Sequence, residues 1–148
     1  MYKHILIATD GSELAAKGTE QGLSLAEALG AKATVLTVAE QLPVDVIQAA
    51  LGSGAEDPVG LYEQQIDKRL KGQVETIERR ALKHNVTPEF AHEIGGSPAE
   101  AIIRTARQLG CDLIVMSSHG RRGAARLLHG SLTAEVVTHT TIPVLVVR

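Results

Sequence analysis

Ser117 to Ser131, SSHGRRGAARLLHGS, concentrates glycine, arginine and hydroxyl side chains just after an apolar run, Asp112 to Met116. Residues of these types can hold an anion. Gly120 and Gly130 lack a Cβ, so backbone N–H groups there can come close to a charged oxygen. A helix expected from Ser131 would add unpaired N–H groups at its positive dipole end. Ser131 and Thr133 can donate hydroxyls to the same ligand, and Arg121 and Arg122 reach it if the loop folds over. A solvated basic loop is nevertheless the simpler account of Arg121, Arg122 and Arg126. Phosphate is the anion this set of donors suits.

Covalent and metal chemistry find weaker support. Ser97 in GGSPA lies between a strand and a helix, as a hydrolase nucleophile would, but its spacing to Glu100 is that of a helix cap. Ser118 and His119 pair the right residue types, yet sequence neighbours rarely face each other in catalytic geometry. Gly11 and Lys17 have the separation of a phosphate-binding loop, but Ala16 stands for its second glycine and Gly18 for its hydroxyl residue. No G-x-G-x-x-G follows the first strand, which argues against a dinucleotide. The six histidines are scattered without metal-ligand spacing, so no structural metal is expected. Cys111 adjoins LIVM and reads as a small buried hydrophobe.

The elements that position these residues follow from periodicity. Short β-branched runs alternate with stretches of helical period, which predicts βα units and a parallel sheet. The expected strands are HILIAT at 4–9, ATVLTV at 33–38, TPEFAHEI at 87–94, DLIVM at 112–116 and IPVLVV at 142–147. The third alternates polar and apolar residues, as an edge strand does. Ala15, Thr19, Leu23, Ala26 and Leu29 mark a first helix with Gly30 as its C-terminal cap. Ile66, Leu70, Val74, Ile77 and Ala81 mark a second, ending near Asn85. Ser97, Pro98, Glu100 and Gly110 bound a third, and a short fourth from Ser131 stops before Pro143. Residues 40–60, rich in glycine and proline, fit no regular element and read as a mobile cover or a disordered loop.

A length of 148 residues suits a single domain, 1–148. Hydrophobic residues at 44% and charged residues at 22% are those of a globular chain, and aromatics at 2% predict an aliphatic core. A formal net charge of -2 recommends neither a nucleic-acid nor a membrane footprint. No apolar run is long enough to cross a bilayer and the start shows no cleavable signal pattern, so a cytoplasmic location is expected.

Right-handed crossovers applied to five parallel strands predict an open twisted sheet with helices on both faces. In the order 3-2-1-4-5 the first and fourth strands meet where the winding reverses, and ligands bind beyond the carboxyl ends there. Asp10 then faces the glycine-rich stretch. Asp10 followed by Gly11 and Ser12 can also simply cap the first helix, though its place at the reversal favours a sugar contact.

The chain resembles the universal stress protein family over essentially its whole length, from ILIATDGSE to IPVLVVR. The family's ATP-binding pattern, G-x-x-G, nine residues, then G-[ST], aligns with Ser117, Gly120, Gly130 and Ser131, so Ser117 departs from it. The resemblance implies a Rossmann-like fold of the adenine nucleotide alpha hydrolase type. It places the ribose at Asp10, adenine near Val38 and phosphate at Gly120, Gly130, Ser131 and Thr133, and it adds Ala8, Thr9, Met116, Ser117, His119, Arg121, Arg122 and Leu132 to the candidate set. It further implies ATP with Mg2+ carried on its phosphates, and action in the stress response through nucleotide-dependent conformation or protein partners. Two alternatives stand beside it: a nucleotide-free dimeric interaction protein, and a slow ATP phosphohydrolase. Catalysis is otherwise not expected, because no water-activating constellation accompanies the phosphate donors. The apolar strand Ile142–Val147 would form an exposed edge, and a homodimer through it is expected.

Overall fold

The computed structural model describes residues 1–118 and 132–148. β1 (His4–Thr9), β2 (Lys32–Ala39), β3 (Glu89–Ile94), β4 (Leu113–Ser117) and β5 (Val144–Val147) form one parallel sheet in the order β3-β2-β1-β4-β5. The expected topology and both expected edges are therefore present. β1 pairs on both sides, Ala8 standing opposite Leu36 of β2 and Met116 of β4. Side chains alternate between the faces of a strand, so these three lie on one face of the sheet.

α1 (Ala16–Leu29) and α3 (Pro58–Ala81) cover the other face. Ile5, Ile7, Val35 and Val115 meet Leu23, Ala26, Ile77 and Ala81 there. α4 (Pro98–Gln108) and α5 (Leu132–His139) cover the face of Leu6, Leu36, Ile114 and Met116, contributing Ile102, Ala106 and Val136. Aliphatic burial of this kind yields about 25 cal/mol per Å² and makes the sheet the rigid base of whatever lies at its end. Gly18 and Gly22 let α1 sit close to it. A Cβ on Gly18 would stand 2.9 Å from the backbone nitrogen of Ser117, and one on Gly22 would stand 2.6 Å from Ile7 Cγ1.

The caps read from sequence do their work. Gly30 and Asn85 adopt left-handed backbone at φ 60 and φ 50, and Ser97 accepts a hydrogen bond from the Glu100 amide. Cys111 is buried at 5% exposure, and burial, with the Asp112 carboxylate beside it, pushes its thiol up to about 11 against a smaller opposite pull from Lys32. Such a thiol stays protonated and unreactive at neutral pH.

Residues 40–60 differ from expectation. They hold α2 (Val44–Gly52) and the start of α3, where the Asp57 carboxylate accepts from the Gly60 amide and Pro58 occupies the first turn. α2 buries none of its residues, so it leaves no core-facing stripe for periodicity to detect. Asp57–Pro58 repeats the Ser97–Pro98 signature and marks a helix start that a reading of proline as a breaker passes over.

Candidate functional site

A cleft of about 70 Å³ lies at the carboxyl ends of β1, β2 and β4. The winding reverses there: the helices following β1 and β2 cover one face, and those following β3 and β4 the other. Leu36, Val38, Ile102 and Met116 make its apolar wall, while Thr9, Asp10 and Ser117 supply its polar rim. Together with Ala8, six of the residues expected from sequence line this one cleft: Ala8, Thr9, Asp10, Val38, Met116 and Ser117. Ala15, Leu36 and Ile102 were missed. Leu36 stands two residues before Val38 and shares its face, so strand parity could have found it, whereas nothing local to Ile102 on α4 announces its place.

The β1–α1 turn is built by its own side chains. Asp10 Oδ1 accepts from the Ser12 amide at 2.9 Å, Thr9 Oγ1 accepts from the Gly11 amide at 3.1 Å, and Ser12 Oγ accepts from the Ala15 amide at 3.2 Å. Asp10 thus organises the turn but does not cap the first helix, which starts at Ala16 with Ala15 as its N-cap and no side-chain cap. A carboxylate offers acceptor sites on both oxygens, so holding the turn does not exclude a hydroxyl ligand. Ser117 Oγ donates to the Leu14 carbonyl at 3.2 Å, which ties the end of β4 to the same turn.

Leu132 packs against the α4 and α5 cluster, and Thr133 is half-buried in the first turn of α5. His119, Gly120, Arg121, Arg122, Gly130 and Ser131 lie outside the described residues, so the expected phosphate donors other than Thr133 have no geometry to report. Among the described residues, no three His, Cys, Asp or Glu side chains converge as metal ligands, and no helix is long and apolar enough to cross a membrane.

Sheet order, winding and cleft define the class: an α/β domain with the adenine nucleotide alpha hydrolase-like fold. A family model, the universal stress protein family, matches residues 1–148, and the chain belongs to that family. A universal stress protein of Thermus aquaticus is 32% identical over 151 residues, covering 100% of each chain. YxiE of Bacillus subtilis, also a universal stress protein, is 28% identical over 149 residues, again with 100% of each covered. Among solved structures, that of MJ0577 superposes with a TM-score of 0.74 at 26% identity over 99% of this chain and 96% of the other. A universal stress protein in complex with cAMP gives a TM-score of 0.71 at 22% identity over 99% and 97%. One from Archaeoglobus fulgidus in complex with dAMP gives 0.67 at 16% identity over 99% and 98%.

Proposed function

We propose that this universal stress protein binds ATP in the cleft at the carboxyl ends of β1, β2 and β4 and acts through a nucleotide-dependent change of conformation or of protein partners. The observation that carries the reading is the meeting of Asp10 with an apolar wall of Leu36, Val38, Ile102 and Met116 at the winding reversal. A purine ring is apolar on its faces and suits that wall. Ribose hydroxyls donate well to a carboxylate. The phosphates are taken by Gly120, Gly130, Ser131 and Thr133 as donors, with Arg121 and Arg122 as further partners, as the family pattern implies. The cation expected with ATP would ride on those phosphates rather than on protein ligands. Solved relatives in complex with cAMP and dAMP support an adenine nucleotide as the ligand class.

Hydrolysis is slow or absent in this reading, because binding needs only donors while turnover also needs a positioned water. The protein works in the cytoplasm as a homodimer paired through the Ile142–Val147 edge, where Leu145 is 39% exposed. One observation favours a second reading. Among the described residues the cleft holds about 70 Å³, small beside the roughly 300–1,000 Å³ of ordinary ligand pockets. A nucleotide-free dimeric interaction protein would need no more.

Mass spectrometry of small molecules released from freshly purified protein, followed by an ATP titration, separates the two. Co-purified adenine nucleotide, or saturable ATP binding lost in Asp10→Ala, supports the first reading. A protein that is empty and takes up no ATP supports the second. Light scattering tests the assembly, and a monomer at micromolar concentration overturns the dimer.

A further inference from the structure

The turn Leu82–His84 continues α3, and Asn85, left-handed at φ 50, ends it before the chain enters β3. Its side chains close on α1. His84 Nε2 lies 2.6 Å from Glu20 Oε1, and Nδ1 of the same ring lies 3.3 Å from Glu27 Oε2. Asn85 Nδ2 donates to the other oxygen of Glu27 at 3.0 Å, and Arg80 stands 3.9 Å from the other oxygen of Glu20. Glu20 and Glu27, two turns apart on one face of α1, thus receive a guanidinium, an imidazole and an amide from the end of α3.

The protonation state follows from the donors. An ionised carboxylate only accepts, so each ring nitrogen facing one must carry a hydrogen. Neutral imidazole carries one and imidazolium carries two. The arrangement is therefore that of the cation, which the carboxyl end of a helix also favours. Among the described residues, Glu20 and Glu27 are the charged groups against the ring from α1; on its own side Arg80 reaches Glu20, and Lys83 is exposed. Of these residue types only histidine ordinarily changes charge between about pH 5 and 8.

Loss of one proton affects the two contacts unequally. The shorter bond keeps the remaining hydrogen on Nε2, toward Glu20. Nδ1 then turns a lone pair toward Glu27 Oε2, acceptor faces acceptor, and Asn85 is left as the donor to Glu27. The Glu20 bond, outweighing burial and joined by Glu27, raises the ring above its ordinary value, so the release falls on the alkaline side of it.

We propose that His84 is a pH-operated latch: as imidazolium it ties the end of α3 to both Glu20 and Glu27 of α1, and on deprotonation it lets go of Glu27 and loosens the turn from Leu82 to Val86. That turn delivers β3, the edge strand of the sheet, so its attachment to α1 is firmer in acid than in base. The device stands whether or not the cleft binds nucleotide.

The test uses the full-length protein labelled with nitrogen-15. NMR follows the His84 ring nitrogens from about pH 5.5 to 8.5, alongside hydrogen exchange of the Val86 amide, which bonds the Ala81 carbonyl at 3.3 Å, corrected for the intrinsic pH dependence of exchange. The expected result is a ring protonated on both nitrogens in acid and on Nε2 alone above the transition, with Val86 exchanging about two- to fivefold faster there. Glu27 is exposed, so Glu27→Gln should fold normally. Its side-chain amide can donate to the bare Nδ1 while its oxygen still accepts from Asn85, so Val86 should stay protected above the transition. A transition at or below about 6.5, a neutral ring protonated on Nδ1, Val86 exchange that does not change across the transition, or a change that persists in Glu27→Gln each overturns the proposal.

Discussion

Gly18 sits where α1 passes over the end of β4, and replacing it with alanine tests how tightly that contact holds the cleft. A Cβ there would stand 2.9 Å from Ser117 N, 3.3 Å from Met116 C and 3.3 Å from Ser117 Cβ. Two of those atoms are backbone in the central sheet, so the added methyl cannot be relieved by a rotamer change and α1 must shift instead. Overpacking of this kind costs about 1–3 kcal/mol. Working against it, alanine is a better helix former than glycine by about 1 kcal/mol. Gly72 in α3 separates the two terms, because a Cβ there meets nothing within 4 Å. Gly72→Ala should therefore stabilise by up to about 1 kcal/mol, with Gly18→Ala falling below it by about 1–3 kcal/mol, since the propensity gain cancels in the difference. Urea denaturation of both variants at neutral pH measures this, and in a thermal melt each kcal/mol corresponds to about 2–4 °C. Equal stabilities for the two alanine variants would refute the close approach of α1 to β4.

Three further outcomes are expected. His84 hydrogen-bonds Glu20 at 2.6 Å and Glu27 at 3.3 Å, and the Glu20 bond outweighs burial to raise its imidazole above the usual value. The raised group stabilises the fold fully below its unfolded pKa of about 6.5 and loses that contribution as pH rises through the higher folded one, so urea midpoints should fall as pH rises from about 6.5 and His84→Gln should flatten that fall. Asp112 accepts from the Lys3 and His4 amides, and those bonds prevail over burial to hold its carboxyl below the ordinary range. Its contribution is present above the unfolded pKa of about 3.9 and lost as pH falls through the depressed value, and Asp112→Asn should cost about 1–2 kcal/mol at neutral pH in the same assay. In ATP titrations, Ser117→Gly should change affinity modestly and Gly130→Val should abolish most binding while leaving the protein folded; tight binding created by Ser117→Gly in a protein that otherwise has none would move the function to the nucleotide-free reading.

Local pattern was enough for the parts of this protein that are locally determined. The five strands are β-branched runs flanked by turn residues, and the caps at Gly30, Asn85 and Ser97 depend on one residue's own backbone or side chain and its near neighbours. Right-handed crossovers narrow the sheet order without fixing it, and 3-2-1-4-5 enters the sequence reading only as a condition that the structure meets. Asp10 could be placed at the reversal because it ends the first strand. α2 was not legible: a largely exposed helix carries a weak burial pattern, and no residue of Val44–Gly52 is fully buried.

Contacts between distant segments were decided only by the tertiary structure. Ala8, Leu36 and Met116 share a face because parallel register aligns three strands far apart in sequence. Ile102 reaches the cleft because α4 crosses back over the sheet. Gly11 clears space for Gln73, which comes from a helix that sequence reading treated only as a core element. Propensity and capping act within a few residues and are written in the chain order, whereas a cavity is the space left between side chains whose neighbours are chosen by packing.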